Sequence, residues 1–369
     1  MLADFGADVI RIDRVGGSED RFVAPVTSEG EGAFFLQVNR NKRSITLNLD
    51  SEEGRAVVRK LLLTTDVVVA NMPPRTIAAL GLDYESLRKV KPDIILTASS
   101  AFGADPVVRD RVGFDGVGQA MSGAVHLTGL PDHPMKSMVP VVDFSTALCC
   151  ALGTMMALYE RKASGRGQEV RASLLHTALT LSSGSLIEEA LRGLNRQATV
   201  NRSPTYGPSD IFRVKDGWII AQVIGPAMFK RWTRMVDRPE LLDDPRFRTM
   251  RCAANMAKSS ATSCRTGAPA ARARKRWPCW RKRAFPAVPS TRRARRWRTT
   301  SSALPARFTA WTIQGRRADT ARRHAGVAVA YRAGYRARPP TAGEHTEEVL
   351  RDAGYAPGEI AGLRERGVI

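Results

Sequence analysis

Residues 66–100 read DVVVANMPPRTIAALGLDYESLRKVKPDIILTASS, and this stretch decides the fold. Between Asp66 and Asn71 lies a short run apolar on both faces, the pattern of a strand buried inside a parallel sheet. Pro73-Pro74 breaks it. A short helix and the segment DYESLRKV follow, and Asp93–Ser100 supplies the next strand. Strand, helix and strand in that rhythm place the two strands parallel, with the helix covering the sheet.

The rhythm extends in both directions. Upstream, SITLNL (44–49) predicts a strand, and Asp50-Ser51-Glu52-Glu53 supplies the cap and first-turn acids of a helix running through Leu63. Further back, LADFGADVIRIDR (2–14) reads as a helix end stopped by Gly6, then a strand through Val9, Ile10 and Ile12. Downstream, 141–170 predicts a strand end, a long buried helix from Ser145 to Arg161, a tight turn and a further strand. A helix from about Ser173 to Leu191, a hairpin over 210–223 turning at Asp216-Gly217, and an amphipathic helix from Phe229 to Val236 complete the readable sequence. No G-x-G-x-x-G occurs, which argues against a nicotinamide enzyme.

Composition divides the chain sharply. Of 57 basic and 36 acidic residues, 23 basic ones and a single acid, Asp319, lie between Arg251 and Gly343, which leaves 34 basic and 35 acidic residues elsewhere. The net charge of +21 therefore describes one segment of an otherwise near-neutral protein. None of the five cysteines forms a C-x-x-C pair, and the adjacent Cys149 and Cys150 read as small core residues, so neither a disulfide framework nor a zinc site is expected. The five histidines show no metal spacing and read as structural or surface groups. The apolar run Phe144–Leu158 is too short to span a bilayer, no signal pattern opens the chain, and a cytoplasmic protein with no metal is expected.

Five motifs carry a resemblance: LADFGADVIRID, NRNKRSITLNLDSEEGR, the stretch DVVVANMPPRTIAALGLDYESLRKVKPDIILTASSAFG, GFDGVGQAMSG, and the block from Asp143 to Val170. In this order they resemble the class III CoA-transferases, a superfamily that includes formyl-CoA and carnitine-CoA transferases and the α-methylacyl-CoA racemases. The resemblance runs through residues 1–250 and resumes at 343–369. It implies an α/β fold with a Rossmann-like parallel sheet in a large CoA-binding catalytic domain (1–200), a smaller α+β domain beginning at 201–250, and a C-terminal helical region (344–369) returning to the large domain. It also implies an interlocked homodimer, and a strand and CoA-touching loop ahead of Met1.

By the same resemblance Asp143 is the nucleophile of a CoA transfer from an acyl-CoA to a carboxylic acid, with coenzyme A as carrier and no metal. Taken alone, an aspartate here reads as a helix cap, a role open also to Ser145 or Thr146. Arg14 matches an arginine beside the nucleotide phosphate, Leu47 and Asn71-Met72-Pro73 match positions along the adenosine and pantetheine path, and Arg111 matches a cationic position near the diphosphate. Local alternatives stand beside each: a solvated strand-end charge for Arg14, plain loop geometry for the others. Ala79 stands where relatives carry an arginine, and Lys136 is a further cation without an assigned role. Phe114, grouped with the CoA-binding positions, replaces the histidine of the racemases' Gly-His-Asp, and phenylalanine cannot move a proton. A racemase or epimerase of 2-methylacyl-CoA is thus the second reading, and a CoA-binding remnant or a basic nucleic-acid binder the third.

The arginine-rich segment 251–343 interrupts the resemblance where the family has a small domain rich in Asp and Glu. With 20 Arg to 3 Lys, tryptophans at 277, 280, 297 and 311, and many Ala and Pro, it has the bias of a GC-rich gene read in the wrong frame. A nucleic-acid arm mixes Lys, Arg and aromatics on a polar background instead. The expectation is two compensating frame shifts and no packed core in this segment; a basic insertion and a binding arm are the alternatives. Translating the coding DNA in the other two frames across 251–343 is expected to give an acidic, family-like sequence. If neither frame is open, a real basic arm stands, and salt-dependent nucleic-acid binding becomes the measurement.

Overall fold

The computed structural model describes residues 1–28, 30–214, 217–247, 287–290, 309–313, 316–321 and 336–369. The segment 251–343, expected to lack a core, lies largely outside them. The chain divides into two compact units, one of 1–118, 140–181 and 307–369, the other of 119–139 and 182–306.

In the first unit, β1 (Val9–Asp13) pairs in parallel with β2 (Lys42–Thr46). Then come α2 (Glu52–Leu62, numbered after a short α1 at Ala33–Val38), β3 (Val67–Ala70), α3 (Pro74–Ala79), α4 (Tyr84–Val90) and β4 (Ile95–Ser100). The cap expected for α2 is present: Ser51 Oγ accepts from Gly54 N at 3.0 Å. Strands β3 and β4 are parallel as expected, and β7 (Gln168–Ser173) joins β4 on its other side, also in parallel, giving the order β3-β4-β7. Along the chain between β4 and β7 come α5 (Asp115–Met121), the two-residue strands β5 and β6 (Gly129–Leu130 and His133–Pro134), which belong to the second unit, and α6 (Val141–Ser164). After β7 comes α7 (Leu174–Arg192).

Helix α6 is fixed on the sheet at three levels. At its far end Arg161 binds Asp66 Oδ1 at 2.7 Å and Asp93 Oδ2 at 3.3 Å, the residues that precede β3 and β4. In the middle Thr154 Oγ1 lies 2.6 Å from Thr97 Oγ1, a buried pair joining the helix to β4. Gly153 allows the close seat, because a Cβ there would stand 2.6 Å from Val170 Cγ1 on β7. The helix therefore runs opposite to the strands, toward their carboxyl ends at its own N-terminus.

The last residues of the chain complete the core of the first unit. Helices α9 (Thr346–Asp352) and α10 (Pro357–Glu365), numbered after α8 below, place Val349, Leu350, Ile360, Leu363 and Val368 against Ile45, Leu47, Val57, Leu62 and Leu96. Backbone bonds fix them there, His345 N to Ser44 O at 2.9 Å and Asn48 N to Val368 O at 2.8 Å. In the second unit β8 (Ser209–Val214), β9 (Gly217–Gln222) and β10 (Ala287–Ser290) form an antiparallel sheet. There α8 (Pro226–Met235) buries Phe229 and Trp232 with Phe212 and Ile219.

Four expectations need correction. Strand β2 starts and ends earlier than SITLNL, because Asn48 and Leu49 are already in the turn that leads to the Ser51 cap. The opening helix is a 3-10 turn, Leu2–Phe5, closed by Gly6 at φ 106°. Val141 and Val142 are not a strand end but the first residues of α6, so Asp143 lies inside the first helical turn rather than before it. Along α6 much of the apolar surface is exposed rather than buried, including Leu152, Met155 and Met156, and Cys149 is exposed as well. By length and composition α6 is long and apolar enough to cross a membrane, yet its inner face is packed on β4 and β7.

The pair of Asp13 and Arg21 is fully buried, with Arg21 Nη2 2.5 Å and Ser44 Oγ 2.9 Å from Asp13 Oδ2. Burial raises the Asp13 carboxyl, but hydrogen bonds from Arg11 and Arg21 outweigh it and bring the pKa down to about 2. A depressed carboxylate gives stability that is full above its unfolded value, near 3.9, and lost as the pH falls toward the folded one. Urea unfolding is expected to show that loss between about pH 4 and pH 2. Asp13→Asn leaves the buried guanidinium with only the more distant Glu31, at 3.8 Å, as counter-charge among the described residues, and is expected to cost about 3 kcal/mol at neutral pH while flattening the acid dependence.

Candidate active site

The three anchors of α6 place its N-terminus. From Thr154 back to Asp143 the helix rises roughly 16 Å at 1.5 Å per residue, whereas β4 runs only about 10 Å from Thr97 to its end at Ser100. Asp143 thus stands just beyond the carboxyl edge of the parallel sheet. That edge is where open parallel α/β sheets take their ligands.

Several of the residues singled out from sequence lie on loops leaving the same edge. Asn71, Met72 and Pro73 connect the end of β3 to α3, whose N-cap is Pro73. Arg111 and Phe114 lie on the loop between β4 and α5, both exposed. Asp110 of that loop accepts from the backbone N of Arg75 at 3.3 Å, which ties the loop to the first turn of α3. Arg14 directly follows the end of β1, is exposed, and pairs only loosely with Glu19 at 3.7 Å. Lys136 is exposed, and Ala79 ends α3.

Leu47 differs from them in that its side chain faces the core. Its side chain is 1% exposed within the core against α2, and its backbone N is spent on Asp13 O at 2.9 Å. Its side chain and its N–H are thus committed to the fold, and a contact with a ligand path is left to its backbone carbonyl. A cavity of about 330 Å³ lies between α2 and the α3–α4 pair, lined among others by Val58, Leu62, Ala79 and Leu82 with Arg55 and Arg59 at its side. Neither Asp143 nor any expected CoA contact lines it.

The surroundings of Asp143 separate its two readings. The N-cap of α6 is Pro140, which provides no side-chain acceptor. Thr146 turns its hydroxyl back to Val142 O at 2.8 Å, so it is not the cap. The capping acceptor comes from outside the helix: Asp115 Oδ2, buried at the start of α5, accepts from Val142 N at 2.9 Å and from Asp143 N at 3.4 Å. The Asp143 carboxylate itself has no hydrogen-bond or ion-pair partner among the described residues. It reaches solvent, yet burial first and the charge of Asp115 second raise its pKa above the ordinary aspartate value. An accessible, uncommitted and unusually basic carboxylate at a helix N-terminus is equipped for nucleophilic attack, and the amide dipoles around it favour developing negative charge.

Sequence reasoning missed Asp115 as a contributor. Its only signal was its place beside Phe114 in the Gly113-Phe114-Asp115 motif. The histidines show no shared site among the described residues: His126 meets Arg196 O, His176 meets Ser173 Oγ and His345 meets Ser44 N. His324 lies outside the described residues.

A sequence model of CoA-transferase family III matches residues 1–346. The succinyl-CoA–D-citramalate CoA-transferase of Chloroflexus aurantiacus is 35% identical over 252 residues, 68% of this chain and 63% of its own length. The succinate–glutarate CoA-transferase of Agrobacterium fabrum is 34% identical over 257 residues, 68% of this chain and 64% of its own. The chain thus spans a little under two thirds of these relatives. Among solved structures, a CAIB/BAIF family protein from Brucella suis superposes with a TM-score of 0.78 at 27% identity, over 95% of this chain and 93% of that one.

Proposed function

The chain belongs to CoA-transferase family III, and from that premise we propose that it moves coenzyme A from an acyl-CoA to a carboxylic acid, with Asp143 as nucleophile. One Asp143 oxygen attacks the thioester carbonyl, the C–S bond breaks, and CoA leaves as thiolate from a mixed anhydride. The thiolate then attacks the aspartyl carbonyl carbon, releasing the donor acid and leaving an aspartyl-CoA thioester. The acceptor carboxylate attacks that thioester to form a second anhydride and free the thiolate again. Attack of the thiolate on the acceptor's acyl carbon gives the new acyl-CoA and restores the carboxylate. An anhydride is as activated as a thioester, so no step needs an outside energy source.

The observation that carries this reading is the uncommitted Asp143 carboxylate, left free because Asp115 supplies the cap. On this reading a CoA chain runs past Asn71-Met72-Pro73, Arg111 and Phe114, on the loops after β3 and β4, and past Arg14 after β1, with the cations suited to its phosphates. Succinyl-CoA is the donor to try first, since the names of both curated relatives above include succinyl-CoA or succinate. Phe114, 72% exposed, cannot act as the proton-transferring base that a racemase requires. The exposed apolar stripe of α6 supports a homodimer, and the free thiols of Cys149 and Cys150 suit a reducing cytoplasm.

Incubation with succinyl-CoA is expected to load the protein covalently, with hydroxylamine intercepting the adduct and peptide mapping placing it at Asp143. Asp143→Asn is expected to fold and bind CoA yet lose at least about a thousandfold in turnover, as loss of a nucleophile does. Near-normal turnover in that variant sinks the assignment. Light scattering on the eluting protein is expected to give the mass of a dimer, and Met155→Arg on the α6 stripe to shift it to monomer.

A further inference from the structure

Two aspartates meet at the start of α6, 28 residues apart in sequence, and only one of them is explained by the reaction. Asp115 is 7% exposed, an unusual place for a carboxylate without a task. Its Oδ2 takes the N–H groups of Val142 and Asp143, two of the first-turn donors that a helix leaves unpaired. Pro140 provides no cap of its own, so this acceptor from α5 replaces the local one. The packing is made for it: at Gly118, one turn on from Asp115, a Cβ would stand 3.0 Å from Val142 Cγ1 and 3.4 Å from Leu174 O. A larger residue there would push α5 away from the helix start.

We propose that Asp115 is the positioning residue of Asp143, fixing the turn that carries the nucleophile and holding a negative charge beside it. The proposal rests on Asp143 being the nucleophile. Binding the Asp143 N–H sets the backbone of that residue while its side chain stays free to react. The neighbouring charge makes the ionised Asp143 less comfortable and hence more basic, which raises its reactivity toward a thioester carbon. It also favours the step in which negative charge leaves Asp143 for the CoA sulfur. Among the described residues, Asp115 is the charge acting on Asp143. On the strands packed against α6, β4 has no ionisable residue and β7 carries Glu169 and Arg171 bonded to each other at 2.7 Å, while His176, early in α7, is bonded to Ser173.

The test uses the full chain with carbon-13 in the aspartate carboxyls, the Asp143 signal being identified by its loss in Asp143→Asn. Asp115→Asn keeps an oxygen for the Val142 N–H but removes the charge. It is expected to leave the thermal midpoint within a few degrees, to lower the titration midpoint of Asp143, and to move the acid limb of adduct formation with succinyl-CoA to lower pH. Asp115→Ala removes the acceptor as well. It is expected to speed amide exchange at Val142 and Asp143 and to slow adduct formation about tenfold to a hundredfold, the usual consequence of a misplaced reacting group. An Asp143 midpoint unmoved in Asp115→Asn, together with unchanged exchange and adduct rates in Asp115→Ala, overturns the positioning role and leaves the transferase reading intact. A shifted midpoint in a wild-type protein that forms no adduct overturns the nucleophile, and with it the catalytic meaning of Asp115.

Discussion

The first unit hangs on one buried carboxylate. Asp13, the last residue of β1, receives two hydrogen bonds from Arg21 and one from the Ser44 hydroxyl, while Arg11 binds its second oxygen. Arg21 in turn donates to Pro340 O at 2.8 Å and lies 4.2 Å over the Phe35 ring. A guanidinium is tolerated in such a place only when its donors are met, and here the acceptors come from β1 and from the returning C-terminal chain. Asn41 receives the backbone N–H groups of Arg336 and Ala337 in the same neighbourhood. Once the return is caught there, α9 and α10 are delivered to the face of β2 and α2. The surface of that unit repeats the tie, through Arg43 with Glu348 and Asp352, and Lys60 over Tyr355 at 3.8 Å.

Helix α6 is held separately from that closure. Helix α6 acts as a strut from the amino edge of the sheet to beyond its carboxyl edge. Its charged end is clamped by Arg161 against Asp66 and Asp93, its middle by a pair of buried hydroxyls, and its N-terminal end by Asp115. A side chain at the tip of a helix seated so closely is placed as accurately as one on a strand, with the exposure of one on a loop. On the proposed reading, a rigid element holds the nucleophile at a solvent-accessible position, the arrangement that precise positioning requires.

Much of this was legible in the sequence because it rests on local chemistry. An apolar run closed by Pro73-Pro74 has few structures open to it, and Ser51 with Glu52 and Glu53 announces a helix start wherever it occurs. The departures share a different cause. Val141 and Val142 have strand propensity, but packing against α5 and the cap from Asp115 made them helix. Cys149 looks like core because the run around it is apolar, yet the single chain buries only one side of α6. Leu47 sits among residues of a ligand-binding motif, and only the structure shows its side chain turned into the core. Asp115 was invisible as a cap since its partners are 27 and 28 positions away and are backbone groups, which leave no mark in sequence.

On the proposed reading, the two aspartates divide between them two roles that residue type alone leaves open. Capping and nucleophilic attack both ask for a carboxylate at a helix N-terminus, and the two tasks compete for its oxygens. A capping carboxylate spends its lone pairs on backbone N–H groups, which lowers its basicity and fixes its orientation away from a substrate. A nucleophile needs those lone pairs unspent. In α6 the conflict is removed by importing the cap from a neighbouring helix, so that Asp143 keeps the position at the positive end of the helix without the hydrogen bonds that usually come with it. The imported group is itself charged, and a neutral acceptor such as serine would have served the cap equally well. A carboxylate adds a repulsion that a neighbour required to be basic turns to use. The geometry therefore argues for Asp143 as the reacting group more strongly than its exposure does.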